Sequence, residues 1–179
     1  MNRDELVVRL VDFSAPLGPF TTPEEREDQW RRWLLSVDEN SVPLFFELLT
    51  HPPDPQKYAP MDSGEFEFEI VEALTFIFLR DPLRGLNMMA PLLENAAARP
   101  ALIEVIGGLG REEGVDCLEP LISRCDLTQD EWVRLACALG EIGGEAGKVL
   151  LEKMQALSVA SDASVKREIE TALVYCQNR

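Results

Sequence analysis

The sequence predicts an all-α protein built from helical repeats. Three observations carry that reading. LIEVIGGLG (102–110) and LACALGEIG (135–143) run in step at a period of 33 residues, and a fixed period is the mark of repeat architecture. Apolar residues recur at helical rather than alternating spacing over most of the chain. Proline, glycine and helix-capping residues fall between those segments and punctuate them at helix length.

Residues 3–14 place Leu6, Leu10 and Phe13 on one face, with Val7 and Val11 beside them; Pro16, Gly18 and Pro19 end this helix. Thr22-Pro23-Glu24-Glu25 starts the next, with a capping threonine, proline at the first helical position and glutamate three residues after the cap. That helix runs to Val37, and Trp30, Trp33, Leu34 and Val37 form its apolar face. We read the two tryptophans as core rather than as an exposed binding pair. After the turn Asp38-Glu39-Asn40, residues 41–50 carry Val42, Phe45, Leu48 and Leu49, with Leu44 beside them and Pro43 in the first turn. Residues 51–62 hold four prolines and are irregular.

Asp62-Ser63-Gly64-Glu65 caps a helix over 64–80. Its start alternates like a strand, but Phe66, Ile70, Leu74 and Ile77 keep helical spacing. Asp81-Pro82 is a turn, followed by helices at 86–97, 99–110, 115–125, 129–142 and 145–157. The last helix, 162–177, starts at Asp162. It buries Val165, Ile169, Ala172, Leu173 and Cys176 and shows Lys166, Arg167, Glu168 and Glu170, as a terminal element closing a stack would.

Within the repeat, Leu102 matches Leu135, Ile106 matches Leu139, Gly107 matches Gly140, Gly110 matches Gly143, and Gly114 matches Gly147. Gly110 and Gly143 sit at helix ends, where glycine tolerates a left-handed cap. Gly107 and Gly140 sit inside helices, where glycine costs about 1 kcal/mol relative to alanine. Close approach of a neighbouring helix is the expected reason.

The run Asp130, Val133-Arg134, Ala136, Ala138 and Leu139-Gly140-Glu141-Ile142-Gly143 resembles the HEAT-repeat family, in the short form of its bilin-lyase-like group. Asp162, Val165 and Lys166 stand for the same opening one repeat later. The likeness covers roughly residues 100–173; the pairs at 22–50 and 64–97 share only helix length and apolar pattern. It implies a right-handed α-α superhelix of about four helix pairs with an extra helix at each end. The whole chain, 1–179, is then one domain, divergent over 1–99 and clearer over 100–179. It also implies that Asp130 and Arg134 are structural and link successive repeats.

The net charge is −15, with 32 acidic and 17 basic residues spread along the chain, so direct nucleic-acid binding is not expected. A basic protein partner suits it. The start MNRDELVV lacks the apolar run of a signal peptide, and no stretch is long and apolar enough for a membrane span. Cys117, Cys125, Cys137 and Cys176 have no C-x-x-C spacing. They read as reduced core or near-core thiols on helices, which gives a cytoplasmic expectation.

No complete catalytic set is legible, and no cofactor or metal is expected. Gly143-Gly144-Glu145-Ala146-Gly147-Lys148 misses a phosphate loop in spacing, and Val149 stands where its magnesium-binding hydroxyl belongs. Gly108-Leu109-Gly110 lacks the third glycine of a dinucleotide fingerprint, because Glu113 holds that position. The one histidine, His51, reads as a helix-ending residue beside Pro52. Glu112 with Glu113, and Asp130 with Glu131, read as solvated acidic faces.

The expected function is therefore a non-catalytic protein-binding module. Its second helices would present Glu47, Asn87, Asp116, Glu119 and Glu152, with Lys57 and Tyr58 of the proline-rich loop at one edge. The alternatives are an acidic inhibitor or immunity-type protein that neutralises a basic enzyme and, through the family likeness, a bilin lyase or isomerase subunit.

Overall fold

Capping chemistry sets several helix starts, because the first amides of a helix have no partner inside it. In the computed structural model, which describes residues 1–15, 19–54, 56–58, 63–157, 159 and 162–177, Asn2 accepts from the Glu5 amide at 2.9 Å and Glu5 returns the bond. Thr22 accepts from Glu25, Asp81 from Arg84 and Asp162 from Val165. Thr128 and Glu131 form a reciprocal capping box. Pro16, Gly18 and Asp62, used above as stops and caps, lie outside the described residues, as does part of the loop 51–62.

The described residues form ten α-helices and no strand. They are α1 (Arg3–Ser14), α2 (Pro23–Ser36), α3 (Val42–Thr50), α4 (Ser63–Phe78), α5 (Pro82–Met89), α6 (Arg99–Gly108), α7 (Glu113–Leu118), α8 (Gln129–Ile142), α9 (Gly144–Gln155) and α10 (Ala163–Gln177). Two expected helices come out differently. The segment 86–97 starts earlier, since Asp81-Pro82 is the cap and first residue of α5, and it turns to 3-10 at Ala90–Glu94. The segment 115–125 is α7 followed by 3-10 at Glu119–Ser123. Pro91 and Pro120 sit second in these two 3-10 segments. Each lacks the N–H that would continue the α-helical ladder, and the tighter winding takes over. No helix is long and apolar enough to cross a membrane among the described residues.

The chain divides into two compact units, Met1–Arg80 and Asp81–Arg179. In the first, α1 and α3 pack on α4. Its core holds Leu6, Leu10, Phe45, Leu48, Ile70 and Leu74, all at most 1% exposed. Phe13 joins an aromatic cluster: its ring lies 5.3 Å from Phe20, 4.9 Å from Trp30 and 5.8 Å from Trp33. The Trp30 indole N–H donates to Glu72 at 2.7 Å. Trp30 is buried and Trp33 half-buried, so the pair belongs to the core.

Beside this cluster Arg26 of α2 donates to Glu69 of α4 at 2.8 Å. Glu69 is 2% exposed, and its Oε2 has no protein partner. Burial pushes its carboxyl up to about 7, opposed by Arg26 and aided by the charges of Glu72 and Glu65. A carboxyl with a raised native pKa holds its proton more tightly folded than unfolded. Stability is therefore expected to fall as pH rises from about 4.5 to about 7, by on the order of 3 kcal/mol. Urea unfolding at pH 5 and pH 8, followed by tryptophan emission, should show this loss in the wild type and not in Glu69→Gln. Parallel profiles for the two proteins would refute it.

In the second unit two rows of helices run side by side. One is α6, α8, α10, with each member packed on the next; the other is α5, α7, α9. The 33-residue register is a packing register. A Cβ on Gly107 would stand 2.7 Å from the Ala138 Cα, and one on Gly140 2.9 Å from the Ala172 Cβ. Both glycines thus mark where one first helix meets the next. Gly114 and Gly147 play the second part of the repeat, touching Ile106 and Leu139 of their own pair's first helix.

Gly107→Ala and Gly140→Ala each gain about 1 kcal/mol of helix propensity and meet an overpacking cost of about 1–3 kcal/mol. We expect a net loss of about 1 kcal/mol and a Tm lower by roughly 2–4 °C for each. Thermal melts that rise instead would mean that the helices can move apart without cost.

Candidate functional site

The second-helix row is exposed where the register places it. In α7, Gly114, Val115 and Leu118 turn inward and Asp116 outward; in α9, Gly147, Leu150, Leu151 and Met154 turn inward and Glu152 outward. Asn87 of α5 and Glu119, just after α7, are exposed as well. The row is not uniformly acidic. Lys153 of α9 reaches Glu119 at 2.7 Å and ties α9 to the segment after α7.

The other expected contact residues lie in the first unit. Glu47 is exposed on α3 and pairs with Arg3 at 2.9 Å. Lys57 is exposed, with its ammonium 5.1 Å from the centre of the half-buried Tyr58 ring. His51 follows α3; its carbonyl accepts from Arg3 at 3.0 Å, and its Nδ1 lies 2.9 Å from the Thr50 hydroxyl.

The first-helix row carries its own polar links. Arg134 donates to Asp130 on its own helix and to Glu104 on α6, both at 2.7 Å. Val133 between them is half-buried. Gly110 and Gly143 have φ of +60° and +71°, the left-handed backbone that glycine accepts without strain. The Cys137 thiol of α8 donates to Glu168 of α10 at 3.1 Å. Although the residue as a whole is exposed, partial shielding of the thiol from water, then Glu168, Glu141 and Glu104, push it up to about 12, so it stays protonated near neutral pH. Cys137, Gly140, Glu141, Glu168, Ala172 and Tyr175 line a groove of about 310 Å³ between α8 and α10.

Three sequence expectations need correction. Cys125 lies outside any helix and is exposed, and Cys137 is exposed on α8; only Cys176 is buried. Leu173 is half-buried rather than buried. Glu131 is not part of a solvated face. It is 3% exposed and accepts from Arg99, itself 1% exposed, at 3.1 Å. Arg99 also donates to the Leu93 carbonyl at 2.7 Å and to Asp126 at 3.3 Å. Asp126 binds Arg124, which pairs with Glu94, and the Arg124 hydrogen bonds hold the Asp126 carboxyl down to about 2. The sequence reading missed Arg99. The one local signal was the threonine-x-x-glutamate spacing at 128–131, which marks Glu131 as a capping residue held against its helix.

No group of three or more histidine, cysteine, aspartate or glutamate side chains among the described residues could hold a metal ion. Comparison with family models, with curated proteins and with solved structures finds no match for this chain.

Proposed function

We propose that this chain is a non-catalytic binding module, an adaptor of HEAT-like repeats wound as a right-handed superhelix, whose second helices face a protein partner. The observation that carries the reading is the double row in the second unit. The 33-residue register recurs there as the same glycine contacts in successive helix pairs. Such stacking leaves a continuous helical face free for recognition. Asn87, Asp116, Glu119 and Glu152 lie on it, and the chain's charge of −15 favours a basic partner.

The test is capture by the purified protein, comparing wild type with Glu119→Lys and Glu152→Lys. We expect both variants to lose the partner that the wild type retains. Undiminished capture would remove this face from the reading. The acidity also favours a narrower version, an inhibitor of one basic enzyme. In that case a single partner binds tightly and its association slows steeply with added salt.

A further inference from the structure

We propose that α2 is a pH-sensitive clasp on the first unit: it opens from α4 on its own, and ionisation of Glu69 releases it. The motivating geometry is a buried carboxyl between the two helices with one oxygen unbonded. Glu69 Oε1 accepts from Arg26 at 2.8 Å, while Oε2 has no protein partner. A neutral carboxyl strands one uncharged group there; a carboxylate strands a charge, which costs far more. With α2 swung away, water solvates the same carboxylate. The open state therefore binds the Glu69 proton less tightly than the closed one, and rising pH favours opening. Burial, opposed by Arg26, keeps the proton on to about 7 with α2 in place. Arg26 of α2 is half-buried, and the other charged side chains of α2 are exposed. On α4 itself, Glu65 and Glu72 add to the push. From α1 and α3 the inward side chains are apolar apart from Ser14; their charged groups are exposed or, for Arg3 and Asp12, half-buried.

The attachment of α2 is what lets it move alone. Of its 14 residues, Trp30 and Leu34 are the buried ones, whereas α1 buries Leu6, Val7, Leu10, Phe13 and Ser14. The close helix contacts of this unit are α1 on α4 and α3 on α4. α2 reaches α4 through side chains, Arg26 to Glu69 and the Trp30 indole to Glu72 at 2.7 Å, and rests on the rings of Phe13 and Phe45. Beyond Trp30 the two helices leave a groove of about 480 Å³, with Leu34 and Leu35 on one side and Phe76 on the other. An element that buries so little and stands over a gap opens at lower free energy than the helices beneath it. A pH-dependent global stability requires only that unfolding exposes Glu69. A clasp requires further that α2 opens while α4 stays helical.

Hydrogen exchange of the ¹⁵N-labelled protein at pH 5 and pH 7.5, corrected for intrinsic rates, separates the two. The Trp30 indole N–H and the amides of Trp30 and Leu34 report α2; the amides of Ile70, Leu74 and Ile77 report α4. We expect the α2 probes to be less protected than the α4 amides at both pH values. Their protection should fall about fiftyfold between pH 5 and pH 7.5, the factor for a carboxyl that titrates at about 7 closed and about 4.5 open. Glu69→Gln cannot ionise, and its α2 protection should change less than about twofold over the same range. Circular dichroism at pH 5 checks that this variant folds. Arg26→Gln, at a half-buried position, gives an independent arm: the closed-state carboxyl loses its cation, and the fall should exceed that of the wild type. Equal protection of α2 and α4 would show that α2 opens only with the whole unit and would overturn the clasp. So would constant α2 protection in the wild type, an undiminished fall in Glu69→Gln, or a smaller fall in Arg26→Gln.

Discussion

Arg99→Met is expected to destabilise the second unit by about 3–5 kcal/mol, the range for removing one member of a buried ion pair. Methionine fills much of the space but bonds nothing. The Leu93 carbonyl loses a 2.7 Å donor, and Glu131 keeps a charge on Oε1 with no cation beside it. Glu131 cannot turn outward easily, because its other oxygen holds the Thr128 amide at 2.7 Å and hydroxyl at 2.9 Å. The double variant Arg99→Met/Glu131→Gln should therefore recover part of the loss. It removes the stranded charge and keeps an acceptor for the cap. Urea unfolding followed by Trp132 emission, with Trp30 and Trp33 replaced by phenylalanine, reads the second unit. A single-variant loss below about 1 kcal/mol, or a double variant worse than the single, would show that the pair does not hold the helices.

The position of Arg99 explains why so large an effect was invisible in the sequence. Arg99 opens α6, Glu131 lies in the first turn of α8, and Leu93 and Glu94 close the preceding 3-10 segment. One side chain joins three elements, two of them successive, but its main partner is 32 residues away, and no local pattern announces it. The glycines are the opposite case. Gly107 and Gly140 were legible because a helix interior penalises glycine and so demands a reason, and the 33-residue period supplied it. The exposed second-helix residues were legible for a related cause: burial of Leu118 and Leu151 at fixed spacing fixes which side of α7 and α9 faces water. The α8–α10 groove was not. Cys137, Glu168 and Tyr175 acquire meaning only from the distance between two helices, which periodicity does not give. Pro91 and Pro120 stood in plain view, and the missing amide of each was enough to argue for the 3-10 turns.

Phe13→Ala is expected to cost the first unit about 3–5 kcal/mol, the usual range for deleting a buried phenylalanine ring. Phe13 is 1% exposed and sits where α1 meets the aromatic residues of α2. Removing its ring leaves Trp30 without its edge-on partner and Phe20 without a stacking face. Trp30 can follow the cavity only partly, since its indole is tied to Glu72 of α4 at 2.7 Å. Incomplete relaxation is what makes such a cavity expensive. Phe13→Leu, which fills much of the space, should cost less than half as much. Near-ultraviolet circular dichroism and the emission of Trp30 and Trp33 report the change, and urea unfolding gives its size. The outcome also decides what the tryptophans are for. A core cluster makes Phe13→Ala a folding defect at any partner concentration. If Trp30 and Trp33 were a recognition pair, the variant would keep its stability and lose only its partner.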